Sequence, residues 1–316
     1  MKFAFATFFL LLSLAVCKIF SSNYLLLIPS TNTTAKLLKS TLDTLNFSKD
    51  RIAVSGVIKD STLNEISGIV ASRTNKNCYW VHNDSGDKAQ IYLINDLGKK
   101  ISTVALQNIT NRDWEDITIG PGPISGKTYL YIADIGDNGK KNIYKYIYRI
   151  EEPRININYP NKNILLEKKD IGVLTVTYLD GCRDAETLLI DPITKKLYII
   201  TKRETYVQIY EIRDSDFLND TLELVKAENV LPFRMVNGGD ISPNGKRILI
   251  KNLTKIFYWD RKPKESILDA LSRQAMELPY YQEPQGEAIA WRLNGKHFVT
   301  LSEMRNNNST NFYLYK

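Results

Sequence analysis

The sequence is poor in the residues on which soft-metal sites and nucleophilic sites depend. It has two histidines and three cysteines in 316 residues, and the cysteines form no closely spaced pair. This excludes the usual zinc sites, which take several cysteine or histidine ligands. The chain also has no P-loop, no dinucleotide-binding glycine fingerprint, no Gly-x-Ser-x-Gly elbow and no Ser-His-Asp set. Nothing therefore predicts a nucleotide-binding enzyme or a serine hydrolase.

Dense basic runs and long hydrophobic runs are also missing. Lysine and arginine exceed aspartate and glutamate by 42 to 35, but they are scattered, so we predict no nucleic-acid partner. The longest apolar stretch, residues 3–16, is shorter than the about 20 residues that span a bilayer. We predict a signal peptide at residues 1–17 and a secreted, extracellular protein. Ordinary cleavage before Lys18 and a lipid anchor at Cys17 on the cell surface are the two alternatives for its end.

Export would allow two modifications, a disulfide between the remaining cysteines and glycosylation of asparagines. Cys78 and Cys182 could form a disulfide in an oxidising compartment, and two buried thiols are the alternative. Glycosylation sequons predict a glycoprotein if the host secretes through an endoplasmic reticulum. They begin at Asn32, Asn46, Asn83, Asn108, Asn219, Asn252, Asn307 and Asn308.

An acidic or polar cluster followed by a short apolar strand recurs five times. The strands begin near Glu65, Glu115, Asp184, Asp240 and Glu287. Their spacing of roughly 45–70 residues is typical of propeller and solenoid repeats. A second and a third strand follow in each unit, and a fourth is plausible at residues 100–106, 173–179, 222–228 and 276–281.

The two ends of the domain complement each other. The last unit ends after three strands, whereas residues 51–58 form a spare strand. We therefore predict an all-β fold, a single β-propeller of five four-stranded blades closed by the N-terminal strand, which completes the last blade. A sixth blade between residues 150 and 175 is the alternative. Residues 18–50 are predicted as a leader, residues 51–316 as the propeller domain and residues 266–275 as a short helix.

The repeats bring acidic side chains to one mouth of the central channel. The start of each first strand and the end of each second strand lie at the same rim, because adjacent strands are antiparallel. Clustered carboxylates require a cation or protonation, and their oxygens suit Ca²⁺, with Mg²⁺ or Mn²⁺ as alternatives. The predicted metal ligands are Glu65, Glu115, Asp184, Glu186, Asp240, Glu287, Asp84 and Asp134. In the other interpretation these acids only accept backbone N–H groups of the neighbouring blade and fix blade packing.

Charged and titratable residues beside these acids predict a reaction. Asp116 or His82 would be the catalytic base, while Arg112, Lys202 and Arg203 would hold a small anionic substrate or ligand. With a metal ion, these groups predict a hydrolase of an ester, a lactone or a phosphoester. The alternative is a non-catalytic extracellular binding or structural propeller. We expect a monomer in either case.

Several motifs together resemble a group of secreted β-propeller proteins of largely unassigned function. They are His82-Asn83-Asp84-Ser85-Gly86-Asp87, Arg112-Asp113-Trp114-Glu115-Asp116, Asp134-Ile135-Gly136-Asp137-Asn138, Asp184-Ala185-Glu186, Gly239-Asp240-Ile241-Ser242 and Gly286-Glu287-Ala288-Ile289-Ala290-Trp291. The resemblance covers roughly residues 60–316 and implies the propeller fold without an established activity. More distantly, the acidic pattern is similar to esterase-like phytases and to propellers of the senescence-marker and gluconolactonase type. That similarity implies calcium at the channel mouth.

Overall fold

The structure is a computed structural model that describes residues 47–156, 162–218, 221–304 and 308–316. These residues belong to one compact unit, Phe47–Lys316, and they form 22 strands. Short 3₁₀ turns lie at Lys49–Arg51, Ser61–Leu63, Lys168–Asp170 and Asp214–Leu218.

The strands form five sheets, which are the blades. Blade 1 consists of β2 (Ile66–Ala71), β3 (Cys78–Asn83), β4 (Gln90–Asn95), β5 (Lys100–Leu106) and β9 (Lys162–Leu166). Blade 2 consists of β6 (Trp114–Pro121), β7 (Thr128–Asp134), β8 (Lys145–Glu151), β10 (Ile171–Tyr178) and β14 (Leu222–Leu224). Blade 3 consists of β11 (Ala185–Ile190), β12 (Leu197–Thr201), β13 (Val207–Ile212) and β15 (Lys226–Leu231). Blade 4 consists of β16 (Val236–Ile241), β17 (Arg247–Asn252), β18 (Ile256–Asp260) and β19 (Met276–Leu278). Blade 5 consists of β20 (Gly286–Trp291), β21 (Phe298–Ser302), β22 (Thr310–Tyr315) and β1 (Ile52–Ile58).

The N-terminal strand closes the ring. β1 pairs antiparallel with β22, from Ile52 opposite Tyr315 to Ile58 opposite Thr310. The pairing covers the outer edge of blade 5, so the last sheet does not end in an unpaired three-stranded edge. The prediction of a single five-bladed propeller closed by this strand is confirmed.

The inner strands read as continuous apolar runs because both of their faces are covered. Every residue of β2, β11, β16 and β20 is buried. The apolar core lies between blades, and one cluster joins Trp80 of blade 1 to Trp114 of blade 2. The inner strands contact one another in sequence around the central channel. The ring thus holds the starts of all five inner strands at one mouth.

Two outer strands pair with blades in a way that was not predicted. Residues 162–166 form no separate blade, because β9 pairs in parallel with β5, from Ser102 opposite Lys162 to Leu106 opposite Leu166. β14 pairs in parallel with β10 in the same way. The predicted strand at residues 222–228 therefore divides between blade 2 and blade 3. The predicted short helix forms at Ile267–Ser272 and is capped by Ser266.

The remaining predictions about processing fall partly outside the described residues. The predicted signal peptide and Cys17 lie outside them. Cys78 and Cys182 form no disulfide, and of these two free thiols Cys78 is buried and Cys182 is half-buried. Phe47 packs edge-on against Phe298 with 5.1 Å between ring centroids, a few residues before the predicted domain start. Within the described residues, no helix has the length and apolar character needed to span a bilayer.

Candidate metal centre

Each inner strand carries a β-bulge near its start, at an equivalent place in its pairing with the second strand. The bulged residues are Ser67, Glu115, Glu186, Asn237 and Glu287. All five are at most 7% exposed. A bulge inserts one residue and re-aims its side chain, so it sets the direction of three glutamates from three different blades.

Two overlapping groups of carboxylates meet at Glu115. We call Asp84, Asp113 and Glu115 the unpaired triad, and Glu115, Asp184 and Glu186 the paired triad. Within each triad, one ligand oxygen from each residue lies within 4.8 Å of the others. Two oxygens bound to the same Ca²⁺ at about 2.4 Å are at most about 4.8 Å apart, so each triad has a spacing that could hold one cation.

Two of the three carboxylates in the paired triad are already neutralised by basic side chains of the protein. Lys202 Nζ forms an ion pair with Glu186, and Arg203 Nε forms one with Asp184. Asp184 also accepts a hydrogen bond from the backbone N–H of Asp137 at 2.8 Å. Lys202 and Arg203 follow β12, the second strand of blade 3, and Asp137 follows β7, the second strand of blade 2.

The unpaired triad has no such partner. No basic side chain of the described residues forms an ion pair with Asp84, Asp113 or Glu115. Glu115 is 4% exposed, and none of the described residues donates a hydrogen bond to its carboxylate. Burial raises its pKa well above the ordinary value, and the nearby Asp84 and Asp113 raise it further.

The other two carboxyls of the unpaired triad respond in the same way. Burial raises the pKa of Asp113 to about 6, with Asp84 and Asp184 adding to the effect. Burial also raises the pKa of Asp84. A group of carboxyls with raised pKa values and no basic partner is an arrangement that a divalent cation would stabilise.

A glycine makes room for this cluster. A Cβ atom at Gly136 would collide with Glu115 Oε1 and Asp113 Oδ2. Gly136 lies in the turn after β7, and its backbone N–H donates to Asp113 O at 3.2 Å. The two carboxylates therefore rest directly against the turn, and the absence of a side chain there is a requirement of the site.

Glu287 lies near the triads without belonging to either. It is 7% exposed. Burial raises its pKa, Lys202 opposes that shift, and Glu303 and Asp84 reinforce it. On the blade 4 side, the fully buried Lys251 donates to the backbone carbonyls of Gly286 and Asn252.

Besides Glu287, three more of the predicted ligands lie outside both triads. Glu65 is exposed. Asp240 Oδ2 accepts the backbone N–H of Trp291 in blade 5 at 2.7 Å, and Asp134 pairs with Arg112 and accepts the Asp113 N–H at 3.2 Å. The contact of Asp240 with Trp291 corresponds to the packing role weighed for these acids, whereas the contact of Asp134 with Asp113 lies within blade 2.

The two predicted bases are enclosed by protein atoms. Asp116 accepts the N–H of Ile117 at 2.8 Å and the N–H of Leu188 in blade 3 at 2.9 Å. His82 is fully buried, packs edge-on against Trp114 and has its Nδ1 at 2.9 Å from Asn83 O. Burial lowers the pKa of His82 to about 4, so the ring is neutral.

Asp113 belongs to one of the recurring motifs but was not among the predicted ligands. A signal was present, because Asp113-Trp114-Glu115 in blade 2 repeats the acid-x-acid spacing of Asp184-Ala185-Glu186 in blade 3. In both strands the second acid is the bulged residue. Matching that spacing would have placed Asp113 beside Glu115.

No family model matches the chain, and no curated protein matches it either.

Proposed function

We propose that the protein is an exported propeller that binds a divalent cation, Ca²⁺ first and Mg²⁺ or Mn²⁺ as alternatives, at the unpaired triad, and that it hydrolyses an ester, a lactone or a phosphoester there. One observation carries the proposal. Glu115 is only 4% exposed, and its carboxylate receives no hydrogen bond from the described residues although it lies beside two further carboxylates. Leaving such a group without compensation is costly.

The donor set fits a hard cation. Asp84, Asp113 and Glu115 offer only carboxylate oxygens, the ligands preferred by Ca²⁺, Mg²⁺ and Mn²⁺. Asp84 and Asp113 are half-buried, so the triad is reached from the mouth. The bound cation would supply Lewis acidity for polarising a scissile carbonyl or phosphoryl group.

The surrounding residues suit the remaining tasks. Lys202, half-buried beside Glu186, affects the pKa values of Glu115, Asp84 and Glu287, so its charge acts at the centre of the site. We assign to Lys202 and Arg203 the binding of an anionic substrate and the stabilisation of developing negative charge. Arg112, which pairs with Asp134, is placed further along the same rim.

A base is still required, and Glu287 suits it better than Asp116 or His82. Burial raises its pKa to about 7, whereas Asp116 is held by two backbone N–H groups and His82 is fully buried. In this role Glu287 accepts a proton from the attacking water. The water oxygen bonds to the substrate carbon or phosphorus, and the bond from that atom to the leaving oxygen breaks.

A non-catalytic extracellular propeller is the second candidate. It is favoured by the inter-blade contacts of Asp116 with Leu188 and of Asp240 with Trp291. Those contacts give two of the predicted acids a role in blade packing. They do not explain why three carboxylates lie together in the unpaired triad.

Hydrolysis of chromogenic esters, lactones and phosphoesters by the purified protein tests the catalytic proposal. We expect turnover of at least one class that disappears in EDTA and returns with Ca²⁺. Glu287→Gln should lower kcat by about 100-fold, the usual scale for losing a general base, while the KM changes little.

The matched control is Glu65→Gln, which removes an exposed acid outside the triads. It should leave turnover unchanged. Turnover that survives both EDTA and Glu115→Gln would contradict the assignment. Cation binding without turnover of any of the three classes would favour the non-catalytic candidate.

A further inference from the structure

A groove of about 780 Å³ lies between blades 3 and 4, lined by residues of neither triad. One wall is the segment that follows β15, with Phe233 and Arg234. The other wall is β18, with Phe257 and Trp259, and the end of the short helix at Leu271. Ligand sites of this size combine apolar and aromatic side chains with polar groups, and half of the residues that line this groove are apolar or aromatic.

Aromatic rings of the two walls meet and form the floor of the groove. Phe233 stacks on Phe257 with 3.9 Å between centroids and a 4° interplanar angle. Trp259 is 2% exposed, and its indole N–H donates to Arg273 O at 3.0 Å. The only polar atom of that indole is therefore satisfied, and the part of Trp259 that lines the groove is apolar.

The rim of the groove carries an excess of positive charge. Lys255 pairs with Glu277 at 2.7 Å, and Arg273 pairs with Glu265 at 2.9 Å. The exposed Arg234 has no ion pair with any acid that the structure describes. After the paired charges cancel, one guanidinium remains beside an apolar floor.

We propose that this groove binds a monomeric single-chain amphiphile with an anionic head group, its alkyl chain on Phe257 and Trp259 and its head group at Arg234. The site is independent of the cation site. The apolar side chains of the groove favour an alkyl chain. The unpaired guanidinium of Arg234 favours an anionic head group over a neutral or cationic one.

Titration of the purified protein with alkyl carboxylates below their micelle concentrations tests the proposal. A terminally brominated carboxylate should quench Trp259 fluorescence. Trp80, Trp114 and Trp291, which are at most 1% exposed and lie outside the groove lining, should keep theirs. The affinity of dodecanoate should exceed that of decanoate by about fifteenfold, which corresponds to burying two methylenes. Binding should be the same in EDTA and in Ca²⁺.

Charge exchange tests the role of Arg234. Arg234→Glu should weaken dodecanoate about tenfold or more and should strengthen dodecylammonium. The matched control is Arg213→Glu, another exposed arginine outside the groove, and it should change neither affinity. Absence of quenching, equal affinity for the carboxylate and the ammonium, or an equal effect of both variants would overturn the proposal. Binding only to anionic vesicles and not to the monomer would overturn it as well.

Discussion

At the residue scale, the candidate site depends on how tightly Glu115 and Asp113 are held. Both carboxylates lie against the backbone of Gly136, which has no side chain to displace them. A buried acid in such a position is stabilised by a bound cation or by a proton. The glycine therefore connects a local backbone turn to the chemistry of the channel.

Gly136→Ala should weaken Ca²⁺ binding by about tenfold or more, because the added Cβ moves Glu115 Oε1 and Asp113 Oδ2 apart without changing any charge. Isothermal titration calorimetry measures the effect. Gly139→Ala is the matched control in the same loop, since its Cβ would meet only the side chain of Lys141 at 3.4 Å. Equal affinities of the two variants would show that Gly136 does not support the site.

Asp116 has a different role from its neighbour Glu115. Asp116→Asn should lower the free energy of unfolding by about 1–3 kcal/mol, because it replaces one of two acceptors of backbone N–H groups by a donor. Ca²⁺ affinity should stay unchanged. Urea denaturation in EDTA gives the first quantity and calorimetry the second. A normal stability with lost Ca²⁺ binding would reverse the assignment.

Asp240 should make stability depend on pH. Burial raises its pKa in the folded protein to about 7 from an ordinary 3.8, with Arg73 opposing the shift. Its contribution is therefore fully present below about pH 4 and is lost as the pH rises to about 7, by at most about 1.4 kcal/mol per pH unit. Asp240→Asn keeps an acceptor for Trp291 N–H and removes this titration.

The difference between the melting curves of wild type and Asp240→Asn isolates that effect, because the other groups titrate in both proteins. Between pH 5 and pH 7 the wild type should lose stability relative to the variant. Curves that stay parallel across this range would show that Asp240 is already ionised at pH 5.

At the element scale, the closing strand also touches the first blade. A Cβ atom at Gly56 of β1 would collide with backbone atoms of Leu97 in the β4–β5 turn, and Ser55 Oγ donates to Asp96 O at 2.8 Å. β1 therefore joins blade 5 to blade 1 as well as completing blade 5. Closure of the ring therefore depends on contacts of β1 with two blades.

Gly56→Ala should lower the free energy of unfolding by about 1–3 kcal/mol, because backbone atoms of Leu97 cannot move aside as a side chain would. Thermal and urea denaturation measure the loss. Gly172→Ala in β10 is the control, since its Cβ would make only ordinary contacts at 3.5 Å and beyond. If the two variants have the same stability, the close approach of β1 to blade 1 does not matter.

At the scale of the whole molecule, the repeat made the fold predictable. Five apolar runs with acids at their starts, together with a spare strand at residues 51–58, were sufficient for the blade count and the closure. The added strands β9 and β14 were not predictable in the same way, because residues 162–166 and 222–224 carry no acidic signature and pair in parallel with distant strands.

The sequence predicted that acids gather at the channel mouth, but it did not predict which residue of each inner strand points to the site. Asp84, Glu115, Asp184 and Glu186 do come together, since each marks a strand end at the mouth. Asp240 was aligned with Glu115 by residue type, but the bulge of blade 4 lies at Asn237. A bulge shifts every later side chain to the other face, and composition does not reveal where it lies. The same limit hid the enclosure of Asp116 and His82.

The most direct test is a calorimetric titration of Ca²⁺ into the purified, chelator-treated protein and its Glu115→Gln variant, with melting curves at saturation. The account predicts one equivalent of bound Ca²⁺ and a higher melting temperature for the wild type, the same for Glu65→Gln, and neither effect for Glu115→Gln. A wild type that binds no Ca²⁺, Mg²⁺ or Mn²⁺ would contradict the cation site. A Glu115→Gln variant that still binds with wild-type affinity would contradict its location.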